Sequence, residues 1–332
     1  MPEKPRSPSK QDTLGLTRSA VVTYADRSRA CLALALRELK CRPRGVVDAL
    51  GAARLPNDGR EFADYWHADR LGLDGTDPAG AWERAERNLE RCDDLAITVI
   101  AYGDPRYPTR LAALQGPERR GAALGGYVPL LYCRGSAAGL NDCRSVAVIG
   151  TRTPSAFGRR RARAFGHDLA AEGFVVVSGL ARGCDTEAHW GCIDAAGITV
   201  AALAHGLDSI YPPENADLAD RLIGAGGCLV SEYPPGTPPR RRAFGQRDRI
   251  QSALAELVVV VETPGDDGTM ITVDHARRQR RPVGCLVHPP EFASAEAAAG
   301  NSRLLSGYPR AIPLKTPQDA LAAMRPSAHE AC

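Results

Sequence analysis

From residue 95 onward, short unbroken apolar runs rich in Val, Ile and Leu alternate with stretches of helical periodicity. The runs are Ala96–Ala101, Leu130–Cys133, Val146–Ile149, Phe174–Val177, Thr199–Ala204, Cys228–Val230, Leu257–Val261 and Val283–Val287. Helical patterns follow at Arg159–Ala171, Thr186–Ala196, Ala216–Gly224, Ile250–Ala255 and Thr272–Arg278. A strand apolar on both sides must be covered on both sides. The alternation therefore predicts an α/β fold with a mostly parallel, doubly wound sheet. Right-handed crossovers put the strand-end loops on one edge, so loops 150–155, 179–185, 231–236 and 262–269 are expected to be neighbours.

Upstream the texture differs. Ala30–Leu39, Gly45–Leu50 and Gly80–Cys92 read as short helices, separated by Pro43, Pro56 and Gly72–Gly75. The expected organisation is a disordered tail over 1–18, rich in Pro, Ser and charge, then a small helical domain over 19–95. A core over 96–325 and a short tail over 326–332 complete it.

Composition narrows the function classes. Of 332 residues, 44% are hydrophobic and 24% charged, ordinary for a globular protein, and the formal net charge is only +3. Residues 1–95 carry equal numbers of cations and anions, so any basic surface must come from clustering further along. Nearly all the cations are Arg, which favours forked contacts to phosphate or planar groups. Ten cysteines occur without a Cys-x-x-Cys, which argues against a zinc site and for small core residues in a reducing cytosol. No metal is expected. The polar N-terminus and the lack of a long apolar run predict a cytoplasmic protein with no membrane contact.

Two strand ends carry the chemistry. Gly150-Thr151-Arg152 follows one apolar run, with Ser155 close behind, and Gly179-Leu-Ala-Arg182-Gly183 follows another. Glycine lets the backbone approach a phosphate closely, helix N-termini favour anions, and arginine adds a charge-assisted fork. No Gly-x-Gly-x-x-Gly follows either strand, so no dinucleotide cofactor is expected. The run Arg240-Arg-Arg-Ala-Phe244-Gly-Gln-Arg247-Asp-Arg249 surrounds an aromatic with cations. A single-strand groove needs that combination: charge for the backbone and a ring for a base.

Taken in order, these loops resemble the DNA-processing protein A family. The matching residues are Gly150-Thr151-Arg152 with Ser155, Ser178-Gly179-Leu-Ala-Arg182-Gly183-Cys-Asp185, and Ala188-His189. Gly206-Leu-Asp208, Ser231-Glu232-Tyr-Pro-Pro-Gly236, Phe244 with Arg247 and Arg249, Val261-Glu262 and Gly268-Thr269-Met-Ile-Thr272 continue the series. The resemblance covers roughly residues 96–325. It implies an extended Rossmann-like domain that binds single-stranded DNA, associates as a homodimer and hands strands to the RecA recombinase in natural transformation. Three departures stand out. Gly245 and Asp248 replace the Pro and Asn usual in the family's Phe-Pro-x-Arg-Asn-Arg motif. Ala204 stands where the family's Gly-x-Gly-Leu-Asp turn has its first Gly, in Ala204-His205-Gly206-Leu207-Asp208. No winged-helix segment follows the core, so DNA binding is expected to rest on the core itself.

The expected phosphate and DNA contacts are Gly150, Thr151, Arg152, Ser155, Gly179, Arg182, Gly183, Phe244, Arg247, Arg249, Gly268 and Thr269. Asp185, His189, Glu232 and Glu262 are expected to support them. Some residues have two readings. Arg182 either forks to a phosphate or braces its loop against Asp185 or Glu232, and Phe244 either stacks a base or turns into the core. Asp185 and His189, four apart, form either an acid–base dyad or a helix-start acid beside a packed histidine. An enzyme acting on nucleoside monophosphates, of the lysine-decarboxylase-like type, is the competing class. Its loop carries a catalytic Glu where Thr272 stands here, so hydrolysis lacks a base. A nucleotide sensor using the same pocket is the third. No catalytic residue is assigned.

Overall fold

The structure, a computed structural model, describes residues 24–51, 55–68, 77–115, 127–142, 144–293, 295–307 and 310–324. The expected tails over 1–18 and 326–332 lie outside the described residues. Each apolar run forms a strand: β1 Ile97–Ala101, β2 Leu130–Gly135, β3 Ser145–Ile149, β4 Val175–Ser178, β5 Thr199–Leu203, β6 Cys228–Ser231, β7 Leu257–Val260 and β8 Val283–Leu286. A further strand, β9 Ile312–Leu314, is too short to show a period in sequence. Among the described residues these make one sheet in the order β1-β2-β6-β5-β4-β3-β7-β8-β9. Strands β3 to β9 run parallel, and β2 joins β6 antiparallel, with β1 antiparallel to β2.

From β3 the chain winds outward through β4, β5 and β6, then returns to β7 on the other side of β3. The order reverses there, and in open α/β sheets the crevice beyond the carboxyl ends at such a point is where ligands bind.

The helices are α1 Tyr24–Glu38, α2 Pro43–Leu50, α3 Gly59–Ala68, α4 Pro78–Asp94, α5 Thr109–Ala112, α6 Ala156–Ala171, α7 Cys184–Asp194, α8 Ala216–Gly224, α9 Arg241–Leu254, α10 Gly268–Arg278, α11 Pro290–Ala293, α12 Ala299–Ser306 and α13 Pro317–Met324. Strand alternation feeds two cores. Ala147, Ile149, Val258 and Val260 meet Ile250, Leu254, Val273 and Leu304 of α9, α10 and α12 on one face. Val146, Val148, Leu257 and Val259 meet Phe165, Leu169, Ala188 and Ala320 of α6, α7 and α13 on the other.

Helices α1 to α4 share a continuous apolar core with the sheet. Leu32, Leu36, Phe62, Trp66 and Trp82 belong to one buried cluster with Ala101, Tyr132, Leu203 and Leu229. Phe62 lies 5.5 Å from Trp82, and Trp82 is 2% exposed. Helix α3 falls where breakers flank a short polar-rich stretch, and the sequence reading has no helix there. The larger difference is α9. Its expected span was Ile250–Ala255, yet it begins at Arg241, so the basic cluster is the first half of a helix.

Candidate functional site

At the order reversal lies an open cleft of about 830 Å³. The loop after β3 supplies Gly150, Thr151 and Arg152, the loop after β4 supplies Ala181, the first turn of α7 supplies Asp185, and Tyr211 comes from the loop after β5. Helix α9 contributes Arg241, Phe244, Gly245, Arg247, Asp248 and Gln251. The start of α10 closes the circle with Asp267, Gly268, Thr269, Ile271 and Thr272. Residues 241, 244, 245, 248 and 251 are spaced as one helical face, so α9 lays a stripe from rim to floor. A cleft of this volume falls in the range of small-ligand sites.

Two aromatic rings and a free guanidinium dominate the rim. Arg152 is exposed, makes no hydrogen bond or ion pair among the described residues, and sits with its guanidinium carbon 5.3 Å from the Phe244 ring centroid. Phe244 is half-buried and 5.8 Å from Tyr211, which is 41% exposed. The alternative in which Phe244 enters the core does not hold: its ring lines the cleft. Arg241, also exposed, has no ion pair among the described residues.

The other expected arginines have different tasks. Arg247 reaches the cleft, but it is 5% exposed and committed to the fold. Its Nη1 donates to Gly179 O (2.8 Å) and to Ala202 O, and its Nε donates to Asp248 Oδ1 (3.0 Å). Carbonyls at the ends of β4 and β5 have lost their ladder partners, and the guanidinium satisfies them. Arg249 is turned away from the cleft and forks onto Glu232, with Nη2 to Oε1 at 2.8 Å and Nη1 to Oε2. Arg182 is exposed and pairs with Glu214, so neither reading of it (a free phosphate fork, or a brace to Asp185 or Glu232) describes its contact. These are corrections to the expected contact set. Arg247 spends Nε and Nη1 on the chain and lines the cleft with what remains of its guanidinium, while Arg249 is committed to Glu232.

The expected backbone donors are largely engaged too. Thr151 N–H donates to Glu262 O (2.7 Å), and Gly179 N–H to Asp185 Oδ2 (3.1 Å). Ser155 caps α6 through Gly158 N–H (3.0 Å), while its own N–H and hydroxyl donate to Glu262 at 2.8 and 2.6 Å. Gly183, at φ +79°, turns the chain into α7. At α10 the N-terminal charge is met by Asp267, which accepts Thr269 N–H (3.1 Å), and Gly268 is left open to the cleft. Lining the cleft together are Gly150, Thr151, Arg152, Phe244, Arg247, Gly268, Thr269 and Asp185; Ser155, Gly179, Arg182, Gly183, Arg249, His189, Glu232 and Glu262 stand outside it.

The supporting residues form a frame. Glu262 is buried beneath α6, with His288 Nε2 3.0 Å from its Oε1. Burial pushes its carboxyl up, but the bonds from His288 and Ser155 outweigh that and leave the pKa lowered. A Cβ on Gly158 would fall onto the Glu262 carboxylate, so only glycine allows α6 this approach. Asp185 accepts from Gly179 and Ala181 N–H and so ties its own loop. Burial raises its pKa to about 6, against the pull of Arg247 and the loop N–H groups. His189 lies 2.7 Å from Thr199 Oγ1, and burial with the Arg247 charge lowers it to about 3. No acid–base dyad forms, because Asp185 bonds backbone and His189 faces Thr199.

Comparison with known proteins now decides the family. Residues 98–325 match the family described as DNA recombination-mediator protein A. The chain belongs to that family. It is 37% identical over 210 residues to Protein Smf of Synechocystis sp., covering 62% of this chain and 50% of that protein. It is 33% identical over 202 residues to the DNA processing protein DprA of Bacillus subtilis, covering 61% and 64%. The matched part thus spans between half and just under two thirds of these relatives. The fold is that of DNA processing protein A from Streptococcus pneumoniae (TM-score 0.60, 23% identity, 90% of this chain and 95% of that one). It is also that of the Helicobacter pylori protein, described for its single-stranded DNA binding mode (TM-score 0.56, 24% identity, 68% and 94%).

Within this member of the family, sequence reasoning singled out the run holding Arg241 and Asp248 without placing either on one helical face, and it missed Gln251, Tyr211 and Ile271 as cleft residues. A period of 3.6 through Arg241, Phe244, Asp248 and Gln251 was the available signal. Three consecutive arginines and Gly245 masked it, since neither reads as a helix start. Tyr211 sits in a proline-rich turn, where packing is the default expectation; only the fold shows its ring exposed beside Phe244.

Proposed function

We propose that this chain binds single-stranded DNA in the cleft at the order reversal, protects it and delivers it to the RecA recombinase during natural transformation. The observation that carries the reading is the unpaired Arg152 guanidinium over Phe244, beside exposed Tyr211, in a cleft of small-ligand size. Stacking on such rings contributes about 1–3 kcal/mol per base, and a free arginine meets the backbone phosphate. The family's role as recombination mediators supports the partner. The chain works by binding and not by catalysis: Thr272 stands where a hydrolase of related loop would place its base, and Asp185 and Asp267 are held by loop N–H groups. It acts in the cytoplasm as a homodimer, which doubles the strand-binding surface. Among the described residues no helix is long and apolar enough to cross a membrane.

Fluorescence-anisotropy titration of labelled oligo-dT over a salt series, with duplex competitor, tests the reading. Binding that prefers the single strand and weakens with salt, at a slope of about 0.7 per phosphate contact, is expected. No binding at low salt overturns it.

A further inference from the structure

The floor of the cleft is a carboxylate, and a strand's phosphates are anions. Asp248 lies one helical turn below Phe244 on the same face of α9, and both line the cleft. Its Oδ1 is saturated: Arg247 Nε donates at 3.0 Å, and the Gln251 amide, turned to suit its neighbours, donates at 3.1 Å while accepting from Gly179 N–H at 2.8 Å. Its Oδ2 receives no donor from the described residues. The side chain is 8% exposed, so this oxygen meets the cleft and little else. Arg247 is spent on this carboxylate and the Arg152 charge is partly offset by it, so a second phosphate this deep would meet an acceptor oxygen and no free cation. A ligand that brings N–H donors suits that oxygen.

Resting on the single-strand reading, we infer that Asp248 makes the cleft selective for a nucleobase carrying an amino group, so that cytosine, adenine and guanine are held over thymine at this one position. A base stacked against Phe244 points its edge down the stripe toward Asp248. One turn of helix, about 5.4 Å, is roughly the reach from a base's ring centre to an acceptor on its exocyclic amine. Carboxylates accept from cytosine N4 in this way. Thymine presents O4 at the same place, and carboxylate and carbonyl oxygens repel. The selectivity belongs to the nucleotide in the cleft; nucleotides outside it are held by their backbone.

The test is anisotropy titration of oligo-dC and oligo-dT, with oligo-dC whose bases lack the N4 amine as a third probe. Oligo-dC is expected to bind about tenfold more tightly than oligo-dT, the scale of one good base contact. The amine-free analogue is expected to lose that advantage. In Asp248→Asn, whose amide offers donors as well as an acceptor, the ratio falls below about twofold. Equal binding of oligo-dC and oligo-dT overturns the selectivity and leaves the single-strand reading intact. An advantage that persists in Asp248→Asn, or in the analogue, overturns the assignment to Asp248 and the amine. Should the variant fail to fold, the analogue on the unaltered protein still decides. Failure of every oligonucleotide to bind overturns the single-strand reading itself.

Discussion

Arg152 and Arg247 reach the same cleft from different elements, yet only Arg152 is free. Arg152 lies in the loop after β3, where Thr151 N–H is already bonded. Its guanidinium makes no hydrogen bond or ion pair among the described residues and rests over the Phe244 ring within electrostatic reach of Asp248. Arg247 starts from a helix that crosses the broken ends of β4 and β5, where two carbonyls need donors. The contrast teaches that a dense basic run does not measure a basic surface. Within Arg240–Arg249, Arg247 and Arg249 serve the interior, and Arg241 stays at the rim.

The sharpest way to break this contrast is to remove the buried member. Arg247→Ala is expected to cost roughly 3–5 kcal/mol in urea unfolding, because buried Asp248 loses its counter-ion and two carbonyls lose their donor. A loss below about 1 kcal/mol would make Arg247 a contact residue after all. Next, Glu262→Ala is expected to cost about 2–3 kcal/mol by the same measurement, since the half-buried donors of Ser155 and the buried His288 ring lose their acceptor. Oligonucleotide binding should weaken with it as the loop bearing Arg152 loosens.

Asp185 and His189 sharpen the contrast through pH. Asp185 holds its proton more firmly folded than unfolded, so between about pH 4 and 6 its ionisation removes stability as pH rises. His189 is neutral when folded and protonates when unfolded, so from about pH 3 to 6.5 it adds stability as pH rises. The two oppose each other. Asp185→Asn removes the first effect, and stability should then climb more steeply between pH 4 and 6, by up to ~1.4 kcal/mol per unit. An unchanged slope in thermal melts across that range would show that Asp185 is ionised there in both states. The smallest effect on the fold belongs to Arg152→Ala: stability within about 0.5 kcal/mol of the parent, while the salt slope of oligo-dT binding drops by about 0.7.

The sheet, its parallel core and the meeting of four loops at one edge were legible because a doubly covered strand must be apolar throughout. Val146–Ile149 and Leu257–Val260 show this without any period to interpret. The contact set was less so. A strand-end Gly and Arg announce a crowded corner, but they do not say whether the crowding is with a ligand or with the chain. At Gly150–Arg152 the ring of Phe244 leaves the arginine outside; at Gly179 the buried side chain of Arg247 takes the space first. Asp248 was noticed as an anomaly beside a phosphate site, and only the register of α9 reveals that it forms the floor.

The close fit of Gly158 under Glu262 has an evolutionary consequence. Any side chain at 158 displaces the carboxylate that fastens Ser155, and a shorter residue at 262 leaves the two Ser155 donors stranded. Neither position is free to drift singly. In a randomised library selected for strand binding, the two should behave as one inherited unit, with survivors keeping both or changing both.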